Sequence, residues 1–272
     1  MTTTLRPTAP EQRTGDGHRR RSYDICVNGR PVGDVELATN PHFGPRAGQI
    51  ERLFVRRPER RRGRGTVAAL AAEEVLRGWG CRWVGVGVPC DDTATLGLVT
   101  ALGYTERNRN MVKPLAGPPE LPAGSEARAM TDDMYPAWLA EEKAVFVESL
   151  VERGVSRAEA EAKCDADHAS LLPRGTASPG VALRVLAHEG VDVGTLWLAA
   201  RGGIGFVYDV KVAPELRGRG HGRTLMLVAE REALAMGHDR IGLNVFAGNT
   251  PALRLYESLG YEPTNLYFHK TL

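Results

Sequence analysis

The chain has 272 residues, 42% hydrophobic and 25% charged, with a net charge of +2 at neutral pH. That length suits one large domain or two modest ones, and so small a charge does not select nucleic acid as a partner. No apolar run reaches 18 residues, and Cys26, Cys81, Cys90 and Cys164 have neither a metal-binding nor a disulfide-framework spacing, so the expectation is no membrane, no metal and a cytoplasmic setting.

In chain order, residues 1–21 are polar, carry no apolar stretch of signal-peptide type, and read as a flexible lead-in. RSYDICVNG and PVGDVELAT alternate as a hairpin, and QIERLFV reads as the next strand. The string RRRGRG, residues 60–65, then opens a helical run, TVAALAAEE. Residues 114–126, PLAGPPELPAGSE, carry four prolines and two glycines, too many for a helix or a central strand, and mark a linker.

Beyond it, EARAM reads as a short strand, and a helix starts near Thr131 or Asp132 and stops at Gly154. Ser156, with Glu159 three residues on, has capping-box spacing for a second helix. VALRVLAHEG and VDVGTLWLAA form a hairpin about Glu189-Gly190, and GIGFVYDVKV a further strand. RGRGHG, residues 217–222, opens a helix running to Met236 and stopped by Gly237. RIGLNVFAG is a strand, TPALRLYESLG a short helix with Pro251 in its first turn, and YEPTNLYFHKTL the strand that closes the sheet.

Sliding the chain by 157 residues aligns 55–115 with 212–272 without a gap, and about a third of the positions are identical. The matches include Arg60/Arg217, Gly63/Gly220, Glu73/Glu230, Tyr104/Tyr261 and Lys113/Lys270. The chain therefore divides into a lead-in (1–21), a first domain (22–115), a linker (116–126) and a second domain (127–272). The first copy has no room upstream for the helix pair that the second carries.

A helix start leaves backbone N–H groups unpaired and carries partial positive charge, and glycines let an anion approach the backbone. The strand–Arg-x-x-Gly-x-Gly–helix unit is thus a candidate pyrophosphate cradle. No Walker loop is present, and GRGTVA matches a dinucleotide fingerprint only weakly, because its strand ends too far upstream.

The run VAPELRGRGHG…LNVFAGNTPALRLYESLGYEPTN resembles the GNAT superfamily of acetyl-CoA-dependent N-acetyltransferases, over nearly all of 127–272. The first half resembles a degenerate unit of the same family, and the tandem arrangement is similar to that of mycothiol synthase. The resemblance implies an α/β (α+β) fold of two tandem domains, each a mixed, mostly antiparallel twisted sheet flanked by helices. It implies acetyl-CoA as cosubstrate, held by Arg217, Gly218, Arg219, Gly220, His221, Gly222 and Arg223 at the pyrophosphate. The strand edge Val210, Lys211 and Val212 would pair with the pantetheine arm and steady the developing oxyanion, and Asn249 would bind the pantetheine or cap its helix. Tyr256 would protonate the leaving thiolate, and Asp209 is the candidate base for the acceptor amine, ahead of Glu141, Glu142 and His221, the last expected to face solvent.

In the first copy Tyr256, Asn249 and Asp209 fall on Val99, Asp92 and Arg52, so that domain is expected to be catalytically silent, as a scaffold or as an acyl-CoA-binding unit. The expected reaction is direct transfer of acetyl to a primary amine on a small molecule or peptide. A peptide or amino-sugar metabolite is the leading acceptor class, a mycothiol-synthase-like acceptor the next. A non-catalytic acyl-CoA-binding module is the reading from another class.

Overall fold

A computed structural model describes residues 2–40, 43–152 and 155–272. The chain forms two compact units, one of Met1–Asn108 with Asn265–Leu272, the other of Arg109–Thr264. Both are mixed α/β.

Unit one begins with β1 (Thr3–Pro7) and β2 (Gln12–Arg13). Both pair antiparallel with β3 (Arg19–Val27), so the lead-in expected to be flexible instead supplies strands. Its polar composition hid this: alternation places only Thr3 and Leu5 of β1 toward the interior. The sheet continues through β4 (Arg30–Thr39) and β5 (Ala47–Val55), then β6 (Trp83–Pro89), which runs parallel to β5. Helix α1 (Arg64–Gly78) makes the crossover, burying Ala72 and Leu76 against Val35, Leu37 and Val84, and Ala68 against Ile25, Val32 and Val55. Helix α2 (Thr93–Ala101) leads to β7 (Thr105–Pro114). Among the described residues no helix precedes α1 apart from one 3-10 turn, so the expected shortage of helices holds.

Unit two repeats the plan with two helices added. After β8 (Ser125–Ala129) come α3 (Tyr135–Val151) and α4 (Arg157–Leu171). The Ser156–Glu159 capping box is present at α4, but Met134, not Thr131 or Asp132, stands at the N-cap of α3. The stop expected at Gly154 lies outside the described residues. Strands β9 (Val181–His188), β10 (Val191–Arg201) and β11 (Ile204–Val212) run antiparallel. Glu189 (φ +50) and Gly190 (φ +80) both sit in the left-handed region that a tight two-residue hairpin requires. Helix α5 (His221–Ala235) crosses to the parallel strand β12 (Arg240–Phe246), and α6 (Thr250–Ser258) precedes β13 (Glu262–Thr271).

The last strands do not close the sheets of their own sequence copies. Asn265–Thr271 of β13 pairs with Pro89–Trp83 of β6, inside unit one, while β7 lies beside β12 in unit two. Each exchange is fixed by a buried charge. Lys270 bonds both oxygens of Glu73, at 3.0 and 2.8 Å, and Tyr104 donates to the same carboxylate at 3.0 Å. In unit two Lys113 bonds Glu230 at 2.7 Å, over the ring of Tyr261. The unit two core combines Leu196, Leu198, Leu225, Met226, Ile241 and Leu243 with Met111 of β7. On the opposite face of the sheet, Trp138 of α3 packs with Leu183, Val185 and Trp197.

Candidate active site

Strand β11 is registered with β12 only over Gly205–Val207 and Ile241–Leu243, but with β10 as far as Val212. Past Val207 the two parallel strands therefore part, and the edge carrying Val210, Lys211 and Val212 is open on that side. A 3-10 turn, Pro214–Leu216, then leads into the glycine loop. The Nε of Arg217 donates back to the Val212 carbonyl at 3.2 Å, closing the corner. Gly218 (φ +77) and Gly220 (φ +90) occupy backbone conformations in which a side chain is strained. Gly220 is the N-cap of α5 and offers no side chain to the helix start, so the first-turn N–H groups are left for an outside acceptor. Gly222 lies beside α6, where a Cβ would make ordinary contact with Leu255 at 3.5 Å. Arg219 and Arg223 flank the loop, with Arg223 bonded to Ser258. These features fit an anionic diphosphate.

His221 differs from expectation. It forms the first residue of α5, is buried, and its ring lies 5.1 Å from that of His188, which bonds Ser125. Burial first, then the neighbouring His188 and Arg219, push its imidazolium downward. It is a packed neutral histidine behind the cradle rather than a solvent-facing base.

Asn249 is the N-cap of α6, its Oδ1 accepting from the Ala252 N–H at 3.3 Å. Tyr256, on the same helix, is half-buried, 5.9 Å from the Tyr261 ring. Burial, with the charge of Asp209 adding to it, pushes the phenol up to about 12, so it holds its proton throughout the physiological range.

Asp209 precedes the open edge and pairs in register with Trp197 of β10. Its Oδ2 is buried without a hydrogen-bond partner, and burial, partly offset by Lys211 and the Val210 N–H, pushes the carboxyl up to about 6. Lys211 is committed to Glu141 of α3 by an ion pair. Glu142, the next residue, is half-buried, and burial followed by the charge of Asp209 pushes it up to about 7. The sequence reading ranked Glu142 low because no motif spacing marks it. The available signal was its place four residues after Trp138, on the buried stripe of α3. Trp197 stacks on Tyr208 at 4.9 Å and meets Trp138 edge-on at 5.6 Å, an aromatic wall that no motif announced.

Unit one keeps the loop but carries Arg52, Asp92 and Val99 where unit two has Asp209, Asn249 and Tyr256. Arg60 Nε bonds the Val55 carbonyl at 2.7 Å, as Arg217 does for Val212. Gly63 is a left-handed N-cap (φ +72), and Arg61, at the position of Gly218, is held at φ +59. Asp92 caps α2 through the Thr95 N–H at 3.0 Å, Val99 is buried at the position of Tyr256, and Arg52 is paired with Asp34 at 2.6 Å. A cavity of about 630 Å³ lies between loop and α2, lined among others by Phe54, Arg60, Arg61, Gly63, Thr66 and Asp92.

Parted parallel strands, a glycine-capped helix start and a protonated tyrosine on the following helix are the arrangement of an acyltransferase. The model of the Acetyltransferase (GNAT) family matches twice, at residues 3–104 and 144–261, and the chain belongs to that family. Mycothiol acetyltransferase of Streptomyces avermitilis is 30% identical over 266 residues, covering 92% of this chain and 79% of the relative. The uncharacterized N-acetyltransferase YycN of Bacillus subtilis is 34% identical over 107 residues, 38% of this chain and 69% of that protein. Among solved structures, a GCN5-related N-acetyltransferase from Sphaerobacter thermophilus has a TM-score of 0.57 at 20% identity, covering 92% of this chain and 80% of that one. A tandem GNAT protein from the clavulanic acid biosynthesis pathway has a TM-score of 0.52 at 18% identity, with 93% and 83% covered. At these identities the structures show the fold, in its tandem form.

Proposed function

We propose that unit two transfers acetyl from acetyl-CoA to a primary amine by direct attack. The observation that carries this is the meeting of two side chains of opposite task at one opening. Tyr256 is held protonated, while Asp209 is raised into the range where it exchanges a proton near neutrality. The loop of Arg217, Gly218, Arg219, Gly220, Gly222 and Arg223 would hold the diphosphate, the edge Val210–Lys211–Val212 would hold the pantetheine arm, and Asn249 both caps α6 and flanks that arm. The acceptor is a small molecule or peptide amine, with a peptide or amino-sugar metabolite first. A mycothiol-type acceptor is the second reading, favoured by the likeness to mycothiol acetyltransferase along most of the chain.

Unit one is read as non-catalytic. Its loop, with Arg61 in a strained conformation, and its cavity favour retention of an acyl-CoA-type ligand over a pure scaffold. The setting is read as cytoplasmic.

The test is release of free thiol from acetyl-CoA in the presence of an amine panel. Tyr256→Phe should lower kcat by about 100-fold or more while leaving the affinity for CoA within about twofold, the size expected for loss of a general acid. Unchanged kcat in that variant would remove the assigned role.

A further inference from the structure

Glu142 is out of place by the rules that shape the rest of α3. Trp138 and Leu139 pack toward the sheet and Phe146 against His168 of α4, and Glu142, one turn from both Trp138 and Phe146, lies on that inward stripe. A half-buried carboxylate needs a partner. Among the described residues Glu142 has no hydrogen bond or ion pair, and Asp209, which faces it from β11, has an oxygen buried without one. Among the described residues the cation that acts on both, Lys211, is paired with Glu141. From α4, Asp165 is tied to Lys143, and Cys164 and His168 bond each other. Unit one supplies a control: among its described residues there is no counterpart of α3, and Arg52 replaces Asp209, so both carboxylates vanish together with Tyr256.

We infer that Glu142 and Asp209 together bind the acceptor as its ammonium ion and take its proton, which selects aliphatic primary amines with no carboxylate beside the nitrogen. This rests on the proposed acetyl transfer and goes beyond it in naming the second base and the acceptor's charge. Two carboxylates facing one opening attract an ammonium group and repel an α-carboxylate. The ammonium gives one proton to the pair. Its nitrogen lone pair forms the N–C bond as the C–S bond breaks, and sulfur takes the proton of Tyr256. Tyr256 regains a proton as the nitrogen sheds its second, and the pair releases the first to solvent. Protons and electrons balance with no further reactant.

The test compares three acceptors in wild type and Glu142→Gln: a simple alkylamine, the same skeleton with an α-carboxylate, and an alkoxyamine that is neutral at pH 7. In wild type the alkylamine should exceed the α-carboxylate in kcat/KM by about 100-fold or more. Glu142→Gln should lower kcat/KM for the alkylamine by about 100-fold, lower it for the alkoxyamine by less than about threefold, and narrow the carboxylate discrimination. CoA affinity, measured by calorimetry, should not move. If Glu142→Gln does not fold, Glu142→Asp carries the same comparison, with a smaller but still selective loss for the alkylamine. Equal losses for alkylamine and alkoxyamine, or no loss for either, overturn the inference while leaving acetyl transfer in place. Wild-type protein that binds acetyl-CoA yet acetylates none of the three overturns the proposed reaction, and the inference with it.

Discussion

Asp209 carries a penalty that the proposed function explains and folding does not. Its carboxyl is raised to about 6, chiefly by burial, whereas an unfolded aspartate titrates near 3.9. The folded state thus favours the neutral acid. The penalty for holding the charge is absent below about pH 4, grows as pH rises, and is complete above about pH 6. Asp209→Asn should therefore be more stable than wild type by about 1–2 kcal/mol at pH 8 and equal to it at pH 4, as read by chemical denaturation at the two pH values. The same variant should lose most of its turnover. In wild type, kcat/KM should rise with pH through about 6 to 7, as Asp209 and Glu142 shed their shared proton. It should fall again near pH ~10, as the free alkylamine loses the ammonium proton through which the pair binds it, before the phenol of Tyr256, at about 12, begins to ionise. A maximum below pH 6 would contradict a carboxylate base. The places of Asp209 on β11 and Tyr256 on α6 were legible because a strand–loop–helix spacing locates them. Glu142 and the aromatic wall were not, since their meaning depends on which strand α3 lies against. His221 was misread because its neighbours are loop residues, while its burial comes from His188 on a distant strand.

At the scale of the element, the two glycine loops show how a backbone shape outlives the residue that made it easy. Gly218 and Arg61 occupy equivalent left-handed positions, at φ +77 and φ +59. For an arginine that conformation costs about 1 kcal/mol or more. Arg61→Gly should therefore stabilise unit one by about 0.5–1 kcal/mol, against the usual cost of introducing glycine, and a thermal shift of the full chain would read it. The reciprocal Gly218→Arg should destabilise and should weaken CoA binding by displacing the loop. A destabilised Arg61→Gly would mean that the arginine side chain contributes more than its strain removes. The helix-capping roles were within reach of sequence. Asn249 and Asp92, one repeat apart, both cap the helix after the divergent strands, so the substitution of one for the other preserves the element.

For the whole molecule, the decisive feature is that each unit is completed by the last strand of the other sequence copy. Glu73 takes Lys270 and Glu230 takes Lys113, although the repeat aligns Lys113 with Lys270. Residues 116–272 alone would lack β7, leaving Glu230 buried without its cation and the place of Met111 empty. That fragment should be insoluble or molten, and a fragment beginning at residue 105 should recover cooperative unfolding, as followed by near-UV circular dichroism. A fragment 116–272 that folds cooperatively would contradict the exchange. Lys270→Met in the full chain should destabilise unit one by about 2–3 kcal/mol, because the Glu73 charge would remain buried without it.

The sequence by itself determined most of the elements, the repeat, the two glycine loops and the replacement of Asp209, Asn249 and Tyr256 in the first copy. Each of these is a local matter of periodicity, capping or one residue's functional group at a fixed spacing. Only the tertiary structure decided that the N-terminal residues are strands and that His221 is buried. It alone brought Glu142 to Asp209 and passed each last strand to the other unit. Two copies that share the same Glu, Tyr and Lys offer a closing strand two equally matched seats, so local pattern cannot choose between them. The choice is made by long-range pairing of β13 with β6 and by the charges that the pairing buries.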